Sequence, residues 1–528
     1  MVQEAKTSGI NFARSGVGIS TLKNTAYSFF GYSLPVIYSI AITPVIIRGL
    51  GITDYGILVI INTINGFLGL VDLGIGLALI KYASEYRSTG EMEKLKKLVG
   101  SINFLFIIFG MLGILAYALI SMFFLPAFHI TAQQSSHIVP VFIFAGISFL
   151  FASLSIVPSS LLRAWQRYDL VVKISLLLVS ALNLGYLAIV LLGFKLKVML
   201  MFNLLVNLGI WLIYSYVTRS ATGLRHWGIG WSWEEVKKSY RFGIGAFVTN
   251  ISNNTLAQLD RLLIPAYLSP AQLSFYSLPG NVAEKINGVT GASTGVLFPV
   301  MSSLVATQDK DRIREVYRKV FRNVSVFVVG IVLTSSVLSG KILKYWVGEE
   351  FSERGAKILV ILAITNGLLG LYSVLQNFLL GLGKVRFLMK ASLVMAAVNI
   401  AALLVLLPRM EILGAAWAYL LSVLPIIFYF GWVEKKYIGL SSHFIYNFKL
   451  VSKLAISAGV YCVIFYFLLN RFVNSLFSLL MIGALCIFLY PLLYWVFGFF
   501  ETEDIKIYSD FIKAAYAKVK RKEIRTDG

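Results

Sequence analysis

Cysteine, histidine and charge are all scarce in this chain. Of 528 residues only two are cysteine, Cys462 and Cys486, and four are histidine. Both cysteines fall inside long apolar runs, so neither a disulfide framework nor a cysteine-based metal site is indicated. His129, His137, His226 and His443 are scattered among expected loops without metal-ligand spacing. Charged residues make up 14% of the chain against 58% hydrophobic, and mean hydropathy is +0.79. A soluble core cannot absorb that much apolar sequence, which leaves an all-α, polytopic membrane protein as the expected class. The chain has no GxxxxGK[ST] phosphate loop and no HExxH metalloprotease motif. Gly381-Leu382-Gly383-Lys384 reads as a short loop and not as a phosphate cradle. Energy for any transport would then come from an ion gradient, membrane potential or substrate gradient. The outer loops are all short, and the longest, between Gly340 and Lys357, has no room for a catalytic domain.

A helix needs roughly 20 residues to cross the bilayer core. By that measure the chain holds about 14 spans, near 26–47, 56–80, 101–125, 138–162, 170–192, 198–218, 241–268, 273–301, 321–340, 357–380, 387–407, 412–432, 452–470 and 475–499. The seventh and eighth are the least hydropathic. Residues 1–25 are polar and read as a cytoplasmic arm rather than a secretory signal. The net charge of +22 could suggest nucleic acid. Its placement argues otherwise: Lys and Arg concentrate in the alternate loops on the side of the N-terminus, as the positive-inside rule requires. This puts both termini in the cytoplasm, with no nucleic-acid partner. Beyond the last span, Ile505, Tyr508, Phe511, Ile512, Ala515, Tyr516 and Val519 recur at helical spacing among lysines, a pattern expected of a basic helix lying on the inner leaflet.

The least apolar pair of spans carries most of the unusual chemistry. The first arm, 240–268, contains Asn250, Asn253, Asn254, Gln258, Asp260 and Arg261. At about 100° per residue these six fall within an arc of about 160°. The second arm, 273–301, carries Asn281, Glu284, Lys285, Gly288, Gly291 and Gly295 on a similar stripe. Folding at Pro270 brings Glu284 and Lys285 to about the depth of Asn253 and Asn254. Charges at membrane depth are costly unless they pair or face a wet cavity, so this hairpin is expected to line one. Lys285 and Arg261 could attract an anionic group, while Asp260 or Glu284 could bind a coupling cation, Na+ or H+. The alternative is structural ion pairing. Asp72, toward the inner end of its span, could serve either helix packing or ion coupling. Arg48 stands at a span end as a topology charge and a candidate substrate contact. The glycines of the second and eighth spans are expected to be close-packing positions.

A repeat runs through the chain. At one constant offset, Asn62 falls on Asn281, Asn65 on Glu284, Gly66 on Lys285, Gly69 on Gly288, Asp72 on Gly291 and Gly76 on Gly295. Arg167 through Asn183 matches Lys384 through Asn399 at nearly the same offset. Two related six-span halves follow, 26–218 and 219–436, with the same orientation because six is even. Residues 437–500 add two spans without a counterpart, and 501–528 form the tail.

At Gly49-Leu50-Gly51…Tyr55-Gly56, Asp72-Leu73-Gly74, Lys81-Tyr82…Glu85-Tyr86 and Gln258-Leu259-Asp260-Arg261, the chain resembles the Wzx-type polysaccharide-biosynthesis flippases. These belong to the multidrug/oligosaccharidyl-lipid/polysaccharide exporter superfamily. The resemblance implies two six-helix lobes in a V around a central cationic cavity, with an alternating-access cycle. It implies flipping of polyprenyl-diphosphate-linked oligosaccharide, an O-antigen, capsule or exopolysaccharide unit, from the inner to the outer leaflet of the cytoplasmic membrane. On that basis Arg261 and Lys285 could bind the diphosphate, and Asn250, Asn253, Asn254, Gln258 and Asn281 the sugar hydroxyls. Polymerase and glycosyltransferase partners are implied by the family alone. A cation-coupled multidrug exporter, a lipid II flippase and, more remotely, a membrane glycosyltransferase or polymerase remain as alternatives.

Overall fold

A computed structural model describes residues 38–499, apart from 73, 129, 131, 224–229, 295–296, 298–300, 302–303, 305–309 and 439–442. The polar arm 1–25, the start of the first span and the tail 501–528 lie outside the described residues. So do His129 and His226. Among the described residues every regular element is helical. Nine of these helices are long and apolar enough to cross a membrane, by length and composition. The described residues fall into two compact units: one within Met1–Ile251 and Leu268–Ala271, the other within Ser252–Tyr267 and Gln272–Gly528.

The first unit opens with α1 (Tyr38–Leu50) and α2 (Ile52–Leu68). Only Gly51 separates them, with φ at 95°, a conformation that costs glycine nothing. Gly49 serves a different need: a β-carbon there would lie 2.0 Å from the Val190 side chain. The expected span 56–80 is not one continuous helix. Gly69–Asp72 forms a 3-10 turn, Gly74 takes φ 72°, and α3 (Ile75–Thr89) starts afresh. Oδ1 of Asp72 accepts from the Gly76 N–H at 2.9 Å, which satisfies one of the open donors at that helix start.

Next come α4 (Met92–Leu119), α5 (Ala132–Leu154), α6 (Ile156–Ala164), α7 (Tyr168–Leu191) and α8 (Leu196–Thr222). The charged segment 91–97 forms the first turns of α4 and continues directly into the span. Glycines let α4 and α5 approach closely: Gly110 and Gly113 face Leu150 and Phe149, and Gly146 faces Ile114 and Tyr117. Leu79, Ala83, Leu98, Ile102, Phe106 and Leu161 form the buried centre where α3, α4 and α6 meet.

α9 (Trp233–Gln258) begins in this unit and is fastened there by a buried cluster. The Tyr86 hydroxyl donates to both carboxylate oxygens of Glu235, at 2.8 and 2.9 Å, and Lys238 Nζ donates to the Tyr86 oxygen at 3.0 Å. The Lys238 ammonium also stands 4.3 Å from the centre of the Tyr82 ring. Burial pushes the Tyr86 phenol above its ordinary range.

The second unit contains α10 (Asp260–Tyr267), α11 (Pro270–Thr294), α12 (Lys310–Val337), α13 (Ser339–Trp346), α14 (Glu349–Gly381), α15 (Val385–Val423), α16 (Pro425–Val433), α17 (His443–Ile464) and α18 (Leu476–Val496). The two expected spans 387–407 and 412–432 lie within one run, Arg386–Lys436, broken at Glu411, where φ is 52° and ψ −140°. Gly414 permits that break: a β-carbon there would stand 2.1 Å from the Leu406 carbonyl oxygen. The last two helices dock on α12 through Val326, Tyr461, Cys486 and Tyr490. Thr334 and Tyr461 share a hydroxyl–hydroxyl bond of 2.8 Å at that junction. Large apolar side chains such as Phe428, Phe477 and Phe488 stand exposed, as lipid-facing positions should.

Candidate functional site

The expected seventh and eighth spans form helices α9, α10 and α11, and neither arm is among the nine strongly apolar helices. The first arm breaks at Leu259, just before Asp260 and Arg261, so α10 starts with an acid in its first turn. Asp260 is 4% exposed. Its Oδ1 accepts from the Arg261 backbone N–H at 2.8 Å, and its Oδ2 accepts a short hydrogen bond from the Tyr276 hydroxyl. A buried carboxylate needs such donors, because an unpaired one would forfeit its hydration without replacement. Arg261 Nη2 forms an ion pair with Glu284 Oε1. The Arg261 side chain is 16% exposed and that of Glu284 47%.

Tyr276, Gly280 and Glu284 are spaced by four residues and lie along one side of α11. That side meets the Asp260–Arg261 pair. A β-carbon on Gly280 would come 3.7 Å from Arg261 Nη2, so the guanidinium passes over this glycine on its way to Glu284. Asn281 and Lys285 occupy the adjacent stripe of α11 and are half-buried. Among the described residues Lys285 has no ion-pair partner. Gln258 Nε2 donates to Asn254 Oδ1 at 2.6 Å, on the same helix. Asn250 and Asn253 fall on α9, with side chains outside the described residues. The structure thus brings Asp260, Arg261 and Glu284 together, and places Asn254, Gln258, Asn281 and Lys285 on the same two arms.

Asp72 and Arg48 belong to the other unit. Arg48 is exposed near the end of α1. Asp72 borders a cavity of about 300 Å³, together with Asn65, Gly69, Phe106, Ser148, Asn203 and Asn207. Nothing lies within 4 Å of a β-carbon built on Gly69 or on Gly291, so these two are not close-packing positions as expected. Gly76 is one, 3.1 Å from Ile156.

The family model described as polysaccharide biosynthesis protein matches residues 45–356. The chain belongs to this family. The matched stretch contains both the Asp260–Arg261–Glu284 cluster and the cavity at Asp72. A Shigella flexneri relative named "Putative O-antigen transporter" is 23% identical over 347 residues, 66% of this chain and 81% of that protein. Among solved structures, the lipid II flippase MurJ in an inward closed conformation superposes with a TM-score of 0.67 at 14% identity, covering 92% of this chain and 99% of that one. An inward-facing multidrug resistance MATE transporter of the MOP superfamily gives 0.64 at 11% identity, covering 77% and 96%. At those identities the likeness is one of fold. The family model and the curated relative support a Wzx-type polysaccharide flippase, a transporter rather than an enzyme, and the solved structures support its fold.

In this polysaccharide biosynthesis protein, Asn203, Asn207, Ser148 and Tyr276 are the site-lining groups that sequence reasoning passed over. Asn203 and Asn207 carried a signal, two amides four residues apart in an otherwise apolar span, the spacing that puts both on one helical face. Tyr276 carried none, since tyrosine is common at span ends.

Proposed function

We propose that the chain flips a polyprenyl-diphosphate-linked oligosaccharide from the inner to the outer leaflet of the cytoplasmic membrane by alternating access, with both termini in the cytoplasm. The observation that carries this reading is the ionic hairpin inside a chain of the polysaccharide biosynthesis family. It sets Asp260, Arg261, Glu284 and Lys285 on two arms flanked by span-length apolar helices. A lipid-linked diphosphate requires cationic contacts for its phosphates and amides for its sugars, away from the hydrocarbon.

In this reading Lys285 is the primary phosphate contact, because its charge is not neutralised by a described carboxylate. Arg261 contributes from its ion pair with Glu284. Asn250, Asn253, Asn254, Gln258 and Asn281 offer hydrogen bonds to the sugars, and exposed Arg48 is a secondary anion contact. Asp260 and Glu284, with Asp72 in the other unit, are the carboxylates able to exchange a coupling Na+ or H+. Membrane lipids and the enzymes that build and polymerise the glycan are its expected surroundings.

The test is leaflet translocation in proteoliposomes of a labelled polyprenyl-diphosphate oligosaccharide. Transport moves label across the bilayer at unchanged mass, whereas a polymerase or glycosyltransferase changes the mass. Absence of movement above protein-free liposomes contradicts the proposal.

A further inference from the structure

The cavity in the first unit carries chemistry that the ionic hairpin does not account for. Its polar groups form a graded network. Asn203 Nδ2 donates to the Tyr186 hydroxyl at 2.6 Å, and Asn203 Oδ1 accepts from Ser148 Oγ at 2.5 Å and from Asn207 Nδ2 at 3.1 Å. Asn207 Nδ2 also donates to Ser148 Oγ at 3.0 Å. Asn203 Oδ1 is therefore fully engaged while one Nδ2 hydrogen stays without a described partner, and the residue works mainly as a positioning group. The amide nitrogen of Asn207 is likewise engaged, and its Oδ1 has no partner among the described residues. Across the cavity, the Tyr117 hydroxyl hydrogen is shared between Asn65 Oδ1 at 2.8 Å and the Ile61 carbonyl oxygen at 2.9 Å, and Asn65 Nδ2 has no described partner. Asp72 spends Oδ1 on the Gly76 N–H.

The open valences are thus the two amide hydrogens of Asn65, one Nδ2 hydrogen of Asn203, Oδ1 of Asn207 and Oδ2 of Asp72. They line a space that also has the rings of Phe106, Phe109 and Phe149 on its wall. Among the described residues no lysine or arginine lines it, which argues against a phosphate. Among the described residues no group of three or more His, Cys, Asp or Glu could hold a metal ion. Mixed donors and acceptors beside aromatic faces suit a neutral polyhydroxyl ring, because each sugar hydroxyl both gives and accepts a hydrogen bond. The volume lies at the lower end of the ~300–1,000 Å³ typical of small-molecule sites and admits a sugar ring.

We infer that this cavity is a sugar subsite that reads the glycan of the transported lipid, with Asn65 as donor and Asn207 and Asp72 as acceptors. The inference rests on the flippase reading, and it adds a recognition site remote in sequence from the hairpin.

Two probes test it in proteoliposomes: fluorescent lipid-linked oligosaccharides extracted from the source organism, and bare polyprenyl diphosphate. Asn65→Ala, Asn207→Ala and Asp72→Asn are compared with wild type, with thermal unfolding in detergent reporting whether each variant is folded. Asp72→Asn keeps the side-chain shape and an acceptor for the Gly76 N–H. The expected result is a loss of about fivefold per variant in flipping the glycosylated lipid, the cost of one hydrogen bond. Flipping of bare lipid by Asn65→Ala and Asn207→Ala stays within about twofold, as for a site that touches only sugar. Equal losses on both lipids in these two variants give the residues a structural role and overturn the subsite. So does unchanged flipping of both. A shift in sodium or proton dependence in Asp72→Asn, with lipid discrimination intact, makes the cavity an ion site instead. If wild type flips neither lipid, the flippase reading itself fails.

Discussion

The side chain of Arg261 crosses Gly280 to reach the carboxylate of Glu284. That crossing and the bond from Tyr276 to buried Asp260 are two polar contacts between the arms of the hairpin. Alanine at 280 meets Arg261 at ordinary contact distance, whereas a branched side chain occupies its path. Gly280→Ala should retain transport and gain up to about 1 kcal/mol from removing an interior helix glycine. Gly280→Leu should displace the guanidinium and lower flipping at least about fivefold. Transport assays on both variants check this, and equal activities would show that the crossing is unimportant.

The Arg261–Glu284 pair is partly open to solvent, with side chains 16% and 47% exposed. A double-mutant cycle with Arg261→Ala and Glu284→Ala should give a coupling below about 1 kcal/mol in stability, because solvent screens exposed pairs. The pair's main role would then lie in transport. A coupling several times larger would make it a structural bridge.

Tyr276→Phe removes one of two donors from a carboxylate that is 4% exposed. The expected loss is about 1–3 kcal/mol, read by thermal or denaturant unfolding. Asp260→Asn in the same background should recover part of it, since a neutral amide needs less compensation than a buried charge.

Gly414→Ala places a methyl against the Leu406 carbonyl oxygen at the break near Glu411. Backbone cannot yield there as a side chain tip could. A loss of about 3 kcal/mol is expected, the upper range for overpacking. Retained stability in a melting assay would mean that the two helices meet in another way.

The sequence reading was most accurate about which faces are polar and least accurate about what touches what. Periodicity at 100° per residue locates Asp260, Arg261, Asn281, Glu284 and Lys285 on the arms, because that depends only on helical geometry. Contact between Arg261 and Glu284 is different. Counting residues from Pro270 leaves them well apart in depth, and a long guanidinium side chain over a glycine closes the gap. The broken second span was also hidden: Gly69 and Asp72 fell on one expected helical face, yet they lie in a 3-10 turn that borders a cavity. Conversely, the repeat that aligns Asp72 with Gly291 does not predict this break, since α11 runs unbroken through Gly291 to Thr294. Hydropathy marked 387–407 and 412–432 as separate spans, and the turn at Glu411 agrees with that division.

The cluster of Tyr86, Glu235 and Lys238 lies on no expected span and emerged from the structure alone. It fastens the start of α9 to the first unit. Tyr86→Phe leaves the buried carboxylate of Glu235 without its hydroxyl donor, for an expected loss of about 1–3 kcal/mol. Faster amide hydrogen exchange over residues 233–241 would report the released helix start. Unchanged exchange there would mean that the cluster does not hold it.

The most direct test of the central claim concerns Lys285, the hairpin cation without a described carboxylate partner. Flipping of labelled polyprenyl-diphosphate oligosaccharide is measured for wild type, Lys285→Ala and Lys285→Arg, all verified as folded. Loss of a charged hydrogen bond to phosphate predicts a fall of about 10- to 100-fold for Lys285→Ala, with most activity kept in Lys285→Arg. Flipping by Lys285→Ala at the wild-type rate would contradict the account.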